Sequence, residues 1–400
     1  MEDKILLISK DATIPSYFEP YGGSYWKTPN ISELAAKGTV FNKHYTVAPS
    51  TAMAFIGMFT GKLPLETEHI EYVEVAEKCE DTLFDRLYDK GYECHLMWSA
   101  NYVYMAEKYS KCYGQHTIHH ENLKLNQSVG QHKTLTTEDI AEDEKLAENT
   151  LASILNEIKT INMEHKVFLW LHVPHVLLGR GGYGRDMDLF DKLIGELRKI
   201  FPDEGIYITA DHGHMNMTKG KTCYGFDVYQ SAIRIPLITP RINGMETVDF
   251  PTSNCQLMDM ILNETVTPEE FIVSDSAYCA QPYRKVSVIR GKYKYIYNKS
   301  SKKEELYDVE WDPEENNNLL EKYIYDTDRH KKVIKEQVYF YPYMAEAETT
   351  CGILRDYFHK IWRTGTPYRE MRNKLAMPYR RVRTVFRDIK KELKEIMRKK

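Results

Sequence analysis

Three short stretches carry side chains whose types and spacing could do chemistry. The first, Gly205-Ile-Tyr-Ile-Thr-Ala-Asp-His-Gly-His214, is an apolar run, Ile206 to Thr209, that stops on Asp211 and His212. A carboxylate and an imidazole on adjacent residues suit a divalent cation, and a strand of an open α/β sheet delivers such groups into the crevice outside its carboxyl end. The plainer reading makes Asp211 the start of a turn and His212 a surface histidine. The second stretch repeats the pattern, an apolar run from Ile5 to Ser9 followed by Lys10 and Asp11. The third, Thr46-Val-Ala-Pro-Ser-Thr-Ala-Met-Ala-Phe-Ile-Gly-Met-Phe-Thr-Gly61, opens with a polar turn, Pro49-Ser50-Thr51, and continues with helical apolar spacing. A hydroxyl there is either a plain N-cap or a nucleophile, set where exposed N–H groups and the helix dipole favour an oxyanion and a bound phosphate.

These groups need a scaffold that brings strand and helix ends together. Thr28-Pro-Asn-Ile-Ser-Glu-Leu-Ala-Ala-Lys-Gly38 reads as a helix opened by Pro29 and closed by Gly38, and Val40 to Tyr45 as a strand. Asp81 to Gly91 repeats the helix and Tyr92 to Trp98 the strand, and Thr137 to Thr160 is a long charged amphipathic helix. Val167 to Leu171 is a strand that ends at His172-Val-Pro-His175, and Asp186 to Phe201 is a helix leading into the Ile206 strand. The alternation predicts an α/β fold with a central, mostly parallel sheet between helices.

Four hundred residues exceed what one hydrophobic core usually supports, so a large domain with a smaller one is expected. A net charge of −4 with 42% hydrophobic residues excludes a disordered chain or a general nucleic-acid binder. The first residues run straight into a strand, no apolar run approaches the length of a membrane span, and the seven cysteines are odd in number and scattered. These features predict a cytoplasmic protein.

Taken in order, Asp11, Thr51 before an apolar helix ending Phe59-Thr-Gly-Lys-Leu-Pro64, and Thr209-Ala-Asp-His-Gly213 resemble the sulfatase branch of the alkaline phosphatase superfamily. Thr28 to Phe41 is similar to that family's first helix and strand, and Ser231-Ala-Ile-Arg-Ile-Pro-Leu-Ile238 to its strand after the metal motif. Arg284 to Tyr297 and Glu305 to Leu319 are similar to its C-terminal subdomain, so the resemblance spans roughly residues 3 to 320. It implies a sulfatase-like catalytic domain over 1–244, a small α+β subdomain over 245–320 and a helical, basic extension over 321–400.

The departures bear on the reaction. True sulfatases carry Cys, rarely Ser, ten residues before the Gly of the Thr-Gly pair, for oxidation to formylglycine; here that residue is Thr51, and Phe55 stands where an Arg would be. The Lys-Trp-His that grips sulfate reads Ser99-Ala-Asn101. A direct Thr nucleophile resembles the phosphoryl side of the superfamily, the phosphodiesterases, phosphonate hydrolases and phosphoethanolamine transferases, which act in cell-surface glycan or lipid metabolism. The resemblance therefore implies a hydrolase or transferase of phosphoesters, with a sulfatase or an inactive binding scaffold as alternatives. Asp11, Thr51, Asp211 and His212 would hold one divalent metal ion; Ala12 in place of a second carboxylate favours Zn or Mn over Ca or Mg. A second metal is not expected, because after His214 the next histidine is His330. His175 and Lys221 match residues that protonate the leaving group or contact the ester, and His172, Lys219 and Asn101 match substrate-binding positions; His172 is equally readable as a core histidine. Asp191 matches an acidic position and reads as structural.

From Arg355 to Lys400 there are about sixteen Lys and Arg against five acids, with Val382, Val385, Phe386, Ile389, Leu393 and Ile396 at helical spacing. This basic stripe either packs on the protein or a second subunit in a homo-oligomer, or docks on anionic membrane at the inner face of the cell, near a small-molecule, glycan or lipid-linked ester substrate. No nucleic acid is expected, since no reading module accompanies it.

Overall fold

The computed structural model describes residues 1–64, 70–71, 74–75, 79–99, 114–118, 137–173, 187–215, 217–221, 224–276, 284–321, 323–326, 331–334 and 345–361. The strands in chain order are β1 (Lys4–Lys10), β2 (Thr39–Phe41), β3 (His44–Tyr45), β4 (Ile70–Glu71), β5 (Glu74–Val75), β6 (Glu93–Ser99), β7 (Gly114–Ile118), β8 (Val167–Val173), β9 (Ile206–Ala210), β10 (Leu237–Thr239), β11 (Thr247–Val248), β12 (Thr252–Ser253), β13 (Ile272–Asp275), β14 (Lys285–Arg290), β15 (Tyr293–Asn298), β16 (Glu304–Asp308), β17 (Tyr323–Asp326) and β18 (Lys331–Ile334). Eight of them form one sheet in the order β11-β2-β10-β9-β1-β8-β6-β7. From β9 through β1, β8 and β6 to β7 the pairing is parallel, and β10 runs antiparallel to both its neighbours. The expected α/β fold with a mostly parallel sheet is the observed one.

The central strands are apolar on both faces because helices cover both. Ile5 and Leu7 of β1 join Phe168 and Trp170 of β8 on one side, under the helices α2 (Thr51–Thr60) and α3 (Leu83–Asp89). Leu6 and Ile8 join Leu169 and Leu171 on the other, under α1 (Pro29–Lys37) and the helices Thr137–Ile158 and Met187–Leu197. Every residue of α2 is buried. Each such apolar side chain contributes roughly 1.5–3 kcal/mol on burial, so the position of α2 on the sheet is strongly determined.

The stretch expected as one strand from Val40 to Tyr45 divides: β2 stays in the large sheet, while β3 leaves it to pair with β12. Residues 247–263 stay with the large sheet, since β11 pairs with β2 and the Leu257–Asn263 helix lies in the core beneath α2. The smaller unit is the antiparallel sheet β13-β14-β15-β16. One of its faces is covered by the 345–361 helix through Ala347, Leu354 and Phe358. The other packs on Met215, Val228, Tyr229 and Ile233, just after the Asp-His-Gly motif. The extension expected to be helical also holds the β17–β18 hairpin. The basic stripe from 372 to 400 lies outside the described residues.

Candidate active site

Register puts the site together. Lys10 pairs with both Ala210 and Val173, so the residues that follow β1, β9 and β8 emerge at one level. Asp11 donates its N–H to Val173 O at 3.0 Å, and the chain then turns sharply through Ala12, whose φ of 47° is left-handed. A non-glycine residue in that region costs about 1 kcal/mol or more and persists where the surroundings hold it. Here Ala12 N donates to Asp211 Oδ1 at 3.0 Å, which locks the two strand ends together. His212 N donates to the same oxygen at 2.8 Å.

The imidazole of His212 donates from Nδ1 to Gly213 O at 2.8 Å; a carbonyl can only accept, so in the neutral ring the proton sits on Nδ1 and the lone pair on Nε2. That lone pair faces Asp211 Oδ2 at 3.4 Å, Asp11 Oδ1 at 3.7 Å and Thr51 Oγ1 at 3.3 Å. Three acceptors converging in a buried space repel one another unless a cation lies among them. Asp11, Asp211 and His212 offer ligand atoms within 4.8 Å of one another, all buried, and Asp211 Oδ2 has no hydrogen-bond donor among the described residues. The donor set fits a divalent metal ion. Gly213 is required by space: a Cβ there would lie 2.2 Å from Ser231 O.

Thr51 is the first residue of α2. Its N-cap, Ser50, has extended backbone and no side-chain capping bond, which leaves the helix's first N–H groups for an anion. The loop before it is fixed by Asn254, a residue the sequence did not single out. Its Oδ1 accepts from Val47 N at 3.1 Å, and its Nδ2 donates to Thr46 Oγ1 at 3.2 Å and Ala54 O at 3.1 Å. Phe55, where the family has an Arg, is fully buried against Trp170 and His172, with ring centroids 4.5 and 5.1 Å away.

His172 lies 4.0 Å from Asp211 Oδ2 through Nε2, and its Nδ1 is 2.9 Å from Ser9 Oγ. Burial holds its pKa down at about 4, so it is neutral at physiological pH. The site thus gathers Asp11, Thr51, Asp211, His212 and His172. Lys219 and Lys221 point elsewhere: Lys219 donates to Glu315 O and Lys221 to Asp227 Oδ2. Asp191 accepts from Asn30 N, Asn30 Nδ2 and Ile31 N, capping α1 from a distant helix. His175 and Asn101 lie outside the described residues. A second group the sequence did not reveal is Tyr224, whose ring lies on His212 with centroids 4.4 Å apart. Neither Asn254 nor Tyr224 carries a local sequence signal, since each acts through contacts far along the chain.

The geometry can be set beside known proteins. The Sulfatase family model matches residues 3–176, the segment that supplies β1, the Thr51 helix and β8. Over residues 3–176 the chain is similar to that family. The fold of solved sulfatase and phosphonate monoester hydrolase structures extends over most of the chain. A structure described as a 2-O GAG sulfatase is 14% identical with a TM-score of 0.65, covering 90% of this chain and 93% of its own. The phosphonate monoester hydrolase of Agrobacterium radiobacter is 15% identical with a TM-score of 0.58, covering 88% and 95%. A protein solved in complex with its substrate D-glucosamine-2-N,6-O-disulfate is 15% identical with a TM-score of 0.56, covering 91% and 98%. At these identities the likeness is one of fold. No curated protein sequence matches the chain.

Proposed function

We propose that this sulfatase-family protein is a metal-dependent phosphoester hydrolase or phospho-group transferase that uses Thr51 as its nucleophile. The observation that carries the reading is the placement of Thr51 Oγ1 at the start of α2, 3.3 Å from His212 Nε2, beside the Asp11, Asp211 and His212 ligand cluster. Asp11, Asp211 and His212 would hold the cation. When bound, the cation supplies positive charge that lowers the pKa of the Thr51 hydroxyl and neutralises the ester's oxygens. Thr51 Oγ1, its proton released to solvent, attacks phosphorus, the bond to the leaving alcohol breaks, and water or an acceptor alcohol then cleaves the phospho-threonine. The first N–H groups of α2, which the Ser50 side chain does not cap, would face the anionic group. His175, on the segment after β8, is our candidate for protonating the leaving alcohol. Zn²⁺ or Mn²⁺ suits two carboxylates and one imidazole better than Ca²⁺ or Mg²⁺, which take more oxygen ligands.

Threonine has no route to formylglycine, and Phe55 removes the Arg position, so sulfate esters rank below phosphoesters as substrates. A screen of phosphomonoesters, phosphodiesters, phosphonates and sulfate esters with metal-loaded protein tests this. Turnover of a phosphoester that is abolished in Thr51→Ala is the expected result; turnover of sulfate esters alone would overturn it, and no turnover of any ester with no bound metal would favour a binding scaffold.

The basic stripe from 372 to 400 is proposed to dock on anionic membrane at the cytoplasmic face, bringing the site to lipid-linked esters. The 345–361 helix belongs to the core of the small sheet, with Leu354, Phe358 and Ile361 buried, so the stripe can be removed cleanly only beyond Ile361. Full-length protein should co-sediment with anionic but not neutral vesicles, more weakly as salt rises, and protein ending at Ile361 should not. Equal sedimentation of the two forms would place the contact elsewhere.

A further inference from the structure

The Nε2 edge of His212 is accounted for by Asp11, Asp211 and Thr51, but the face of its ring is covered by a residue no motif contains. Tyr224 lies over it, centroids 4.4 Å apart and planes 32° from parallel, and it meets His214 at 6.1 Å. Rings at such separations attract, and an imidazole that shares its lone pair with a cation becomes electron-poor and gains more from an electron-rich face.

The residues that flank Tyr224 are tied to the small sheet. Tyr224 sits midway along a segment closed by an ion pair, Lys221 Nζ to Asp227 Oδ2 at 2.5 Å. Lys285 of β14 pairs with the other oxygen of Asp227. Upstream, Lys219 donates to Glu315 O and lies over the rings of Tyr229 and Tyr307 at 5.4 and 5.5 Å. Met217 and Lys219 both hold left-handed backbone, φ 69° and 54°, so the path of the segment is imposed from outside it.

We propose that Tyr224 is a positioning residue for His212, and that Lys285 and Glu315 of the small subdomain hold it there through Asp227 and Lys219. The inference rests on reading Asp11, Asp211 and His212 as a metal site. It gives the small sheet a part in metal binding, and it assigns Lys219 and Lys221 to fixing the loop.

The test is calorimetric titration of metal-stripped, full-length protein with Mn²⁺ or Zn²⁺, alongside thermal midpoints. Tyr224→Phe, which keeps the ring, should bind within about twofold of wild type; Tyr224→Leu should bind roughly tenfold more weakly, the size expected for a group that orients a metal ligand, with its midpoint little changed. Lys285→Met, which keeps the ring and removes its tether, should weaken binding by a smaller factor of roughly three. Wild-type affinity in Tyr224→Leu would overturn the proposal, as would equal losses in Leu and Phe, which would point to the hydroxyl. Should Tyr224→Leu not fold, wild-type affinity in Lys285→Met overturns the tether. Asp211→Asn separates the two levels: if it binds metal as wild type does, or if wild type takes up none, the reading of the site itself fails and the inference with it.

Discussion

The chain buries two clusters of charge, and they are built on opposite terms. At the ends of β1 and β9, Asp11, Asp211 and the Nε2 lone pair of His212 converge, acceptor against acceptor, with Asp211 Oδ2 lacking a donor among the described residues. Where the small sheet meets the 224–229 segment, buried Lys285 and Lys294 meet Asp227, Glu305 and Glu315, and each carboxylate lies against a cation or a donor. Lys294 Nζ is 2.7 Å from Glu315 Oε1, Gln230 N donates to Glu315 Oε2 at 2.6 Å, and Tyr229 and Tyr307 donate to Glu305 Oε2 at 2.8 and 2.7 Å. A charge taken out of water must be matched nearby or it is costly. The second cluster pairs charge with counter-charge and so serves the fold; the first gathers ligand atoms that suit a cation.

The sharpest break between the two comes at Thr51. It makes no ion pair and forms no part of the charge balance, so Thr51→Ala should leave the denaturation midpoint almost unmoved. Turnover of a phosphoester should nevertheless fall by roughly three orders of magnitude or more, because the Thr51 hydroxyl is the one placed 3.3 Å from His212 Nε2. Measured kcat/KM within tenfold of wild type would remove Thr51 from the chemistry.

Next in size is a pair of substitutions with opposite expectations. Glu315→Gln leaves Lys294 buried without its counter-charge; burial already pushes Lys294 below the usual lysine range and Glu315 above the usual carboxylate range, offset by their attraction. The cost should be about 3–5 kcal/mol in denaturant unfolding. Asp211→Asn should instead leave metal-free protein as stable as wild type or more so, because it relieves repulsion, while abolishing metal uptake. If both substitutions destabilise the metal-free protein equally, the two clusters do not differ in kind.

How much of this was legible in the chain follows from where each contact lies. β1, β9, the Asp211-His212 pair and Thr51 were readable because each is a local pattern, an apolar run ending on a polar group or, for Thr51, a polar turn opening an apolar helix, and the parallel register does the rest. The roles of the lysines were not, since Lys219 is answered by Glu315 and Lys221 shares Asp227 with Lys285 across a domain junction. Asn254 and Tyr224 escaped for the same reason: an amide that fastens residues 46, 47 and 54, or a ring laid on His212, leaves no periodicity behind. Phe55 showed the converse. Its departure from the family was visible at once, and the structure supplies the reason it is tolerated, since the side chain fills apolar space against Trp170.

The smallest effect concerns charges that are paired but left near water. Arg198 donates to Asp203 from Nε at 2.9 Å and from Nη2 at 3.0 Å, and Lys37 joins at 2.7 Å. The hydrogen bonds from Arg198, aided by Lys37, hold the Asp203 pKa down at about 2. A carboxyl whose pKa is lower in the folded state contributes stability that is fully present above its unfolded value near 4 and is lost as pH falls through about 2. Because the pair is partly solvated, that contribution is expected to be only about 1 kcal/mol or less. Asp203→Asn should therefore shift the urea midpoint slightly at pH 6, and the gap between variant and wild type should narrow steadily from pH 4 towards pH 2.5. A gap that stays constant over that range would mean that the Asn variant is losing packing rather than charge, and that Asp203 belongs with the buried, matched cluster instead of the solvated surface.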